Sequence, residues 1–267
     1  MENTYWHKQT ADKPLFPDLI WSRPETRQSA GKLLIIGGNI HSFAAVGNAY
    51  GEATKAGVGI ARVILPDALQ KTVSKLLPEA EFAPSTPSGS FGQAALAQLL
   101  EQARWANGVL LAGDLGRNSE TAIVLEKFVD KYSGQLTITK DAVDYFTHAP
   151  QSILNRQDTT TVLSIAQLQQ LAVSAKFDKA FTFNMDLLRL VDTLHEFSQK
   201  FALNIVIKHP DTVFVAVKGQ VSTTKSSQSE EAWRLPTAAG TAVWWLQNPT
   251  KPFEALTTAA NQQYQAE

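Results

Sequence analysis

The sequence predicts an α/β protein built on a doubly wound, mostly parallel sheet. Two patterns carry that reading. Apolar runs too short for helices recur along the chain and stop at glycine or proline, as buried parallel strands do. Between them lie segments with helical spacing, so strand and helix alternate. A third observation sets the scale: 267 residues with 44% apolar content can bury one sizeable core. In sheets of this kind ligands sit beyond the carboxyl ends of the strands.

The first strand is Leu33–Ile36, handing over through Gly37 and Gly38 to a helix across the small residues 43–56, which Gly57-Val58-Gly59 stops. Ile60 to Leu65 is a second apolar run, ended by Pro66. Val109–Leu111 and Leu136–Ile138 read as further strands. Between them Val124, Leu125, Phe128, Val129 and Tyr132 make a helical stripe behind an Asn118-Ser119 cap. Ser164 to Ala172 and Asp178 to Phe201 read as helices, and Asn204 to Lys208 as a strand. Thr212–Val217 and Gln220–Thr223 flank Lys218-Gly219, a hairpin signal. Two helices, about 238–247 and 251–264, close the chain, split at Asn248-Pro249. The polar stretch Ser222–Glu231 reads as a loop. Residues 1–30 read as an extended arm because Pro14, Pro17 and Pro24 oppose regular structure. Residues 31–267 form a single domain.

A net charge of -1 supplies no field for nucleic acid or an anionic membrane. With no cysteine, disulfides, thiolate chemistry and Cys-based metal sites are excluded. His7, His41, His148, His195 and His209 show no ligand spacing, so no metal site is read. The N-terminus lacks an apolar leader and the apolar runs are too short for a bilayer, which predicts a soluble, cytoplasmic protein. Neither a G-x-G-x-x-G nor a Walker loop is present.

Several segments, taken in order over about residues 31–260, resemble the ADP- or ATP-dependent NAD(P)H-hydrate dehydratases, a branch of the ribokinase-like superfamily. They are Gly31-Lys-Leu-Leu-Ile-Ile-Gly-Gly-Asn39 with Ala44-Ala45 and Ala56-Gly-Val-Gly59. Next come Ala112-Gly-Asp-Leu-Gly-Arg117, similar to that family's G-P-G-L-G-R, and Thr139-Lys-Asp-Ala-Val-Asp144, similar to D-A-D-A-L-N. Last is Ile205-Val-Ile-Lys-His-Pro-Asp-Thr212, similar to V-V-L-K-G-A-D-T. The resemblance implies a ribokinase-like three-layer α/β/α fold, ATP or ADP with Mg2+ as cofactor, NAD(P)H hydrate as substrate, and a homo-oligomer, commonly a tetramer. It places substrate contacts at Asn39, Ala45, Gly116 and Ser164. Nucleotide contacts fall at Lys208, His209, Asp211, Thr212, Gly240, Thr241 and Ala242.

The chain departs from the family at the working positions. H-P-G-E aligns with Ser164-Ile-Ala-Gln167, and G-G-T-G-D with Ala238-Ala-Gly-Thr-Ala242. In the resembled enzymes a nucleotide phosphorylates the substrate hydroxyl and phosphate then leaves. A carboxylate that takes the hydroxyl proton contributes roughly a hundred- to ten-thousandfold. Ala242 has no proton acceptor, and sliding the register by one residue offers only Val243. Gly240-Thr241-Ala242 retains an anion site only if a turn there keeps its N–H groups pointing outward. Asp114 stands where a glycine is expected and reads either as a turn residue in the left-handed region or as a relocated base. Asp141 reads as a helix cap or as a second candidate base. Trp244 and Trp245 read as core or interface filling, or as bulk that narrows the nucleotide pocket.

The leading expectation is therefore a divergent dehydratase-like protein that is catalytically impaired, with nucleotide binding left open. One alternative is an active Mg-nucleotide-dependent dehydratase or small-molecule kinase using another acid. The other is a structural subunit that assembles through its N-terminal arm and tryptophans.

Overall fold

The computed structural model describes residues 4–226 and 233–263. A ten-stranded sheet is covered on both faces by helices. The elements in chain order are β1 (Trp6–Gln9), α1 (Pro17–Trp21), β2 (Lys32–Gly37), α2 (Ala44–Lys55), β3 (Ile60–Pro66), α3 (Gln70–Val73) and β4 (Ala80–Ala83). Then follow α4 (Ala95–Trp105), β5 (Gly108–Gly113), α5 (Ser119–Lys131), β6 (Gln135–Thr139), α6 (Gln151–Leu154), β7 (Thr159–Val162) and α7 (Ile165–Ser174). The last are α8 (Leu187–Lys200), β8 (Asn204–Lys208), β9 (Thr212–Val217), β10 (Gln220–Lys225), α9 (Arg234–Gln247) and α10 (Pro252–Gln262). Strand order is β1-β10-β9-β8-β7-β6-β5-β2-β3-β4. Only the β8–β9 and β9–β10 pairs are antiparallel.

Each face of the sheet has its own core. Leu34, Ile36, Leu111 and Ile138 point to a layer made with α4, α5, α7 and α8, where Phe128, Phe181 and Phe197 are buried. Leu33, Ile35, Leu110 and Val206 point the other way, toward α2, α9 and α10. This alternation along a fully buried strand is what makes the runs read as continuously apolar.

Local sequence accounts for several boundaries. Asn118 caps α5, its side chain accepting from the Glu120 and Thr121 N–H groups. Ser164 and Gln167 form a capping box on α7. Lys218 and Gly219 have φ of 47° and 83°, the left-handed pair that a two-residue hairpin between β9 and β10 requires.

Four expectations are corrected. The arm is not merely extended: β1 joins the sheet in parallel with β10, and α1 starts at Pro17, a position where proline is tolerated. The helix expected from Asp178 begins only at Leu187, capped by Asp186, whose side chain accepts from the Arg189 N–H. The strand expected at Gln220–Thr223 runs on to Lys225, so residues 224–225 of the expected loop belong to β10; residues 227–231 of that loop lie outside the described residues. The final helices run Arg234–Gln247 and Pro252–Gln262, the first starting a turn earlier than anticipated.

The arm spends its polar groups within its own chain. Gln9, 4% exposed, donates through Nε2 to Thr224 Oγ1 (2.7 Å) and the Thr257 carbonyl (2.8 Å). Its Oε1 accepts from the Leu15 N–H. Asn261 Nδ2 donates to the Thr10 carbonyl. Gln9→Leu leaves a buried carbonyl and an N–H without these partners, so it is expected to lower stability by about 2 kcal/mol in urea denaturation. A loss within about 0.5 kcal/mol, the range of ordinary surface substitutions, would show that the arm is not held by this residue.

Candidate functional site

The order of strands reverses between β2 and β5, the place where such sheets open a crevice at their carboxyl ends. The backbones approach closely there: the Gly38 N–H donates to the Gly113 carbonyl at 3.0 Å. A Cβ on Gly37 would fall 2.4 Å from that same oxygen, so no other residue fits.

Two carboxylates organise the crevice. Asp141, just past β6, accepts the Asp114 N–H at 2.7 Å on Oδ1 and the Leu115 N–H at 2.9 Å on Oδ2. The loop after β5 is thereby clamped, with Asp114 at φ 56° in the left-handed region. Asp114 then turns its own carboxylate to α2. Oδ2 accepts from the Ser42 hydroxyl (2.7 Å) and the Ala45 N–H (2.8 Å), while Oδ1 faces Lys140 Nζ at 3.4 Å. Phe43, the N-cap of α2, makes no side-chain cap, so Asp114 does that work from across the crevice. Asn39 Nδ2 completes the frame by donating to the Asp114 carbonyl at 2.5 Å.

The surroundings separate the two acids. Burial pushes Asp114 upward, but the bonds from Ala45 and Ser42 and the Lys140 charge outweigh it and hold the carboxyl below its ordinary value. For Asp141 burial dominates. It outweighs the two N–H bonds and, with the nearby Asp114 charge adding to it, raises the carboxyl.

Next to this frame a cavity of about 630 Å³ opens between the start of α5 and the residues after β6. Its wall includes Arg117, Asp141, Asp144, Tyr145, His148 and Gln170. Tyr145 donates to the Gly116 carbonyl, and burial raises its hydroxyl. Gln167 stands behind Asp144. Its Nε2 donates to the Lys140 carbonyl (2.8 Å) and to Asp144 Oδ1 (2.7 Å). Its Oε1 accepts from the Ser164 N–H (3.1 Å) and from Arg234 Nη1 (3.4 Å).

The structure brings Asn39, Ala45, Asp114, Gly116 and Asp141 together at the β2–β5 crevice, with Ser164 one strand further along at the end of β7. Lys208, His209, Asp211 and Thr212 stand at the β8–β9 turn, where the His209 N–H donates to the Thr212 carbonyl. Lys208 is buried and Asp211 exposed. Gly240, Thr241 and Ala242 are not in a turn at all. They lie inside α9, whose backbone N–H groups are used by the helix, and the Thr241 hydroxyl donates to the Thr237 and Ala238 carbonyls. The phosphate turn expected there is corrected to helix interior. Trp244 and Trp245 are buried in the core facing α2 and α10, with Arg23 lying over the Trp244 ring at 4.6 Å. Among the described residues no group of three or more His, Asp or Glu is placed to hold a metal ion, and no helix is long and apolar enough to cross a membrane.

Gln167, Tyr145 and Arg234 were not among the expected site residues. The sequence signal for Gln167 was its place at the end of Ser164-Ile-Ala-Gln167, the segment aligned with the resembled family's H-P-G-E.

Neither a protein-family model nor a curated relative matches the sequence. Solved structures do match. A ribokinase-like superfamily protein from Enterococcus faecalis superposes with a TM-score of 0.72 at 16% identity, covering 99% of this chain and 88% of its own. A hypothetical protein of Streptococcus mutans gives 0.71 at 16% identity, with 92% and 86% covered. The chain therefore has the ribokinase-like fold, a three-layer α/β/α architecture. An ADP/ATP-dependent NAD(P)H-hydrate dehydratase from Bacillus subtilis, co-crystallised with ATP and Mg2+, superposes at 0.65 with 11% identity, covering 94% of this chain and 87% of its own.

Two substitutions test the site. The stabilisation from Asp114, whose carboxyl is held low, is complete above the unfolded value of about 4 and is lost as pH falls through the lower folded value. Asp141, held high, contributes in the opposite sense: its share is present below the unfolded value and lost as pH rises through the folded one. It remains in both proteins compared. Asp114→Asn is expected to be less stable than wild type by about 2 kcal/mol at pH 7, with the gap closing below about pH 4. A gap independent of pH would show that the charge is not what α2 uses. Gln167→Glu removes both donated bonds and sets a carboxylate beside Asp144. It should cost about 2 kcal/mol in urea denaturation. No loss would mean that the Nε2 contacts do not hold the rim.

Proposed function

We propose that the chain is a divergent dehydratase-like protein of ribokinase-like fold that binds a small polar ligand and does not carry out base-assisted phosphoryl transfer. The observation that carries this reading is Ala242. It is 5% exposed and sits inside α9, where the resembled enzymes have a carboxylate behind a glycine turn. Neither the base nor the turn is available there.

The other two acids are poor substitutes. Both oxygens of Asp141 accept backbone N–H groups, and Asp114 is tied to Ser42, Ala45 and Lys140. Carboxylate oxygens engaged by donors are not free to take a substrate proton, and for Asp114 those donors also hold the carboxyl low, which makes it a weak base at neutral pH. The ligand site in this reading is the cavity beside Tyr145. Arg117 and His148 present donors there, and Asp144 an acceptor.

Purified protein given hydrated NADH with Mg-ATP or Mg-ADP is expected to regenerate NADH no faster than buffer. Turnover that Asp114→Asn or Asp141→Asn abolishes would overturn the proposal in favour of a working enzyme with a relocated base. Saturating Mg-ATP or Mg-ADP should also leave the unfolding midpoint unchanged. A nucleotide at a hundredfold its Kd would stabilise the fold by about 2.7 kcal/mol, raising the midpoint by roughly 5–10 °C. Such a shift would show that nucleotide binding persists without the α9 turn.

A further inference from the structure

The contacts of Gln167 reach from the cavity wall to the start of α9. Asp144, exposed on the cavity wall, accepts from Gln167 Nε2 at 2.7 Å. The opposite end of the same amide accepts from Arg234, the first residue of α9. Gln167 is 8% exposed, and its capping-box bonds to Ser164 fix its backbone and its rotamer. A buried amide held at four points cannot give up one partner without re-aiming the others.

Trp233, Leu235 and Ala238 anchor the first turn of α9 in the core, but among the described residues its polar anchoring is sparse. Trp233, its N-cap, gives no side-chain cap, and Pro236 has no N–H to donate. The buried Thr237 hydroxyl finds no partner among the described residues.

We propose that Asp144, Gln167 and Arg234 form a relay that ties the first turn of α9 to the cavity. A ligand whose cationic or N–H group takes the Asp144 carboxylate withdraws it from Gln167 and loosens the start of α9. Gln167 is a positioning residue in this relay. It acts through Arg234 and the Lys140 carbonyl rather than on the ligand. The relay matters for function only if the cavity is the ligand site proposed above, but its test needs no ligand, so the two readings fail separately.

The test is amide hydrogen exchange on the full chain, read at residues 238–241, whose N–H groups close the first turns of α9. Asp144→Ala is expected to raise exchange there about tenfold, the effect of losing one charge-assisted bond, while α5 is unchanged. In Arg234→Leu the same Asp144→Ala change should add nothing further, because the relay is already cut. Gln167→Leu should behave like Arg234→Leu. Arg234 is only half-buried, so its variant serves if Gln167→Leu does not fold. Unchanged exchange at 238–241 in Asp144→Ala would overturn the relay. So would a rise of the same size in the Arg234→Leu background, since independent effects add and coupled ones do not.

Discussion

The crevice at the carboxyl ends of β2 and β5 depends on one carboxylate, Asp141, holding two consecutive backbone N–H groups of the loop after β5. Those bonds fix Asp114 in a left-handed conformation that a residue with a side chain adopts at a cost of about 1–2 kcal/mol. Only in that conformation does the Asp114 carboxylate reach Ser42 and the Ala45 N–H, and α2 has no other side-chain cap. The order of cause runs from β6 to the β5 loop to α2, crossing the crevice at each step. Two negative charges so close would repel, and Lys140 beside Asp114 offsets part of that repulsion. The crevice is consequently stiff where a ligand site in this fold would be open, and its polar atoms are largely engaged with one another.

Much of the fold was legible because the strongest signals were local. Leu33–Ile36 and Ile60–Leu65 are short, mostly apolar runs with glycine or proline at their ends, and both became parallel strands. Asn118, Ser164 and Lys218-Gly219 act within two or three residues, so their caps and turn needed no tertiary information. What was missed needed partners far away. Trp6–Gln9 is a strand because β10 offers an open edge more than 200 residues later in the chain. Thr159–Val162, three threonines and a valine, is buried in the middle of the sheet because β6 and β8 flank it; its composition alone reads as polar. Residues 178–186 have helix-compatible composition, yet the first capped turn comes only at Asp186.

The site was legible by position more than by role. Asn39, Ala45, Asp114, Gly116 and Asp141 meet at the switch point where their order along the chain suggested. Asp114 was readable as a left-handed turn residue, because aspartate tolerates that region better than most side chains. That it caps a helix 69 residues earlier in the chain was invisible, since nothing near Phe43 signals a missing cap. The glycine at 240 misled in the opposite direction. A glycine among alanines is compatible with a turn, but Ala238, Ala239 and Ala242 are better helix formers, and the buried layer facing α2 and α10 rewards continuing the helix. Gly240 is therefore a helical residue, and a Cβ there would meet the Gln263 side chain at an ordinary 3.8 Å.

Gln167 and Ala242 fit one physical picture. Gln167 satisfies two acceptors, the Lys140 carbonyl and Asp144; a glutamate carboxylate has no donor for either, and its protonated form has only one. At the same time its oxygen takes a bond from Arg234 at the head of α9. An amide can serve both sides at once because it carries donor and acceptor at opposite ends; a carboxylate can serve only the arginine. Extending α9 back to Arg234 brings that arginine to the rim, and the same extension carries Ala242 into the packed interior, where a charged carboxylate would lack both water and a partner. A longer helix thus favours an amide at its head and an apolar residue two turns in. The amide at 167 and the apolar residue at 242 are then both suited to where α9 begins.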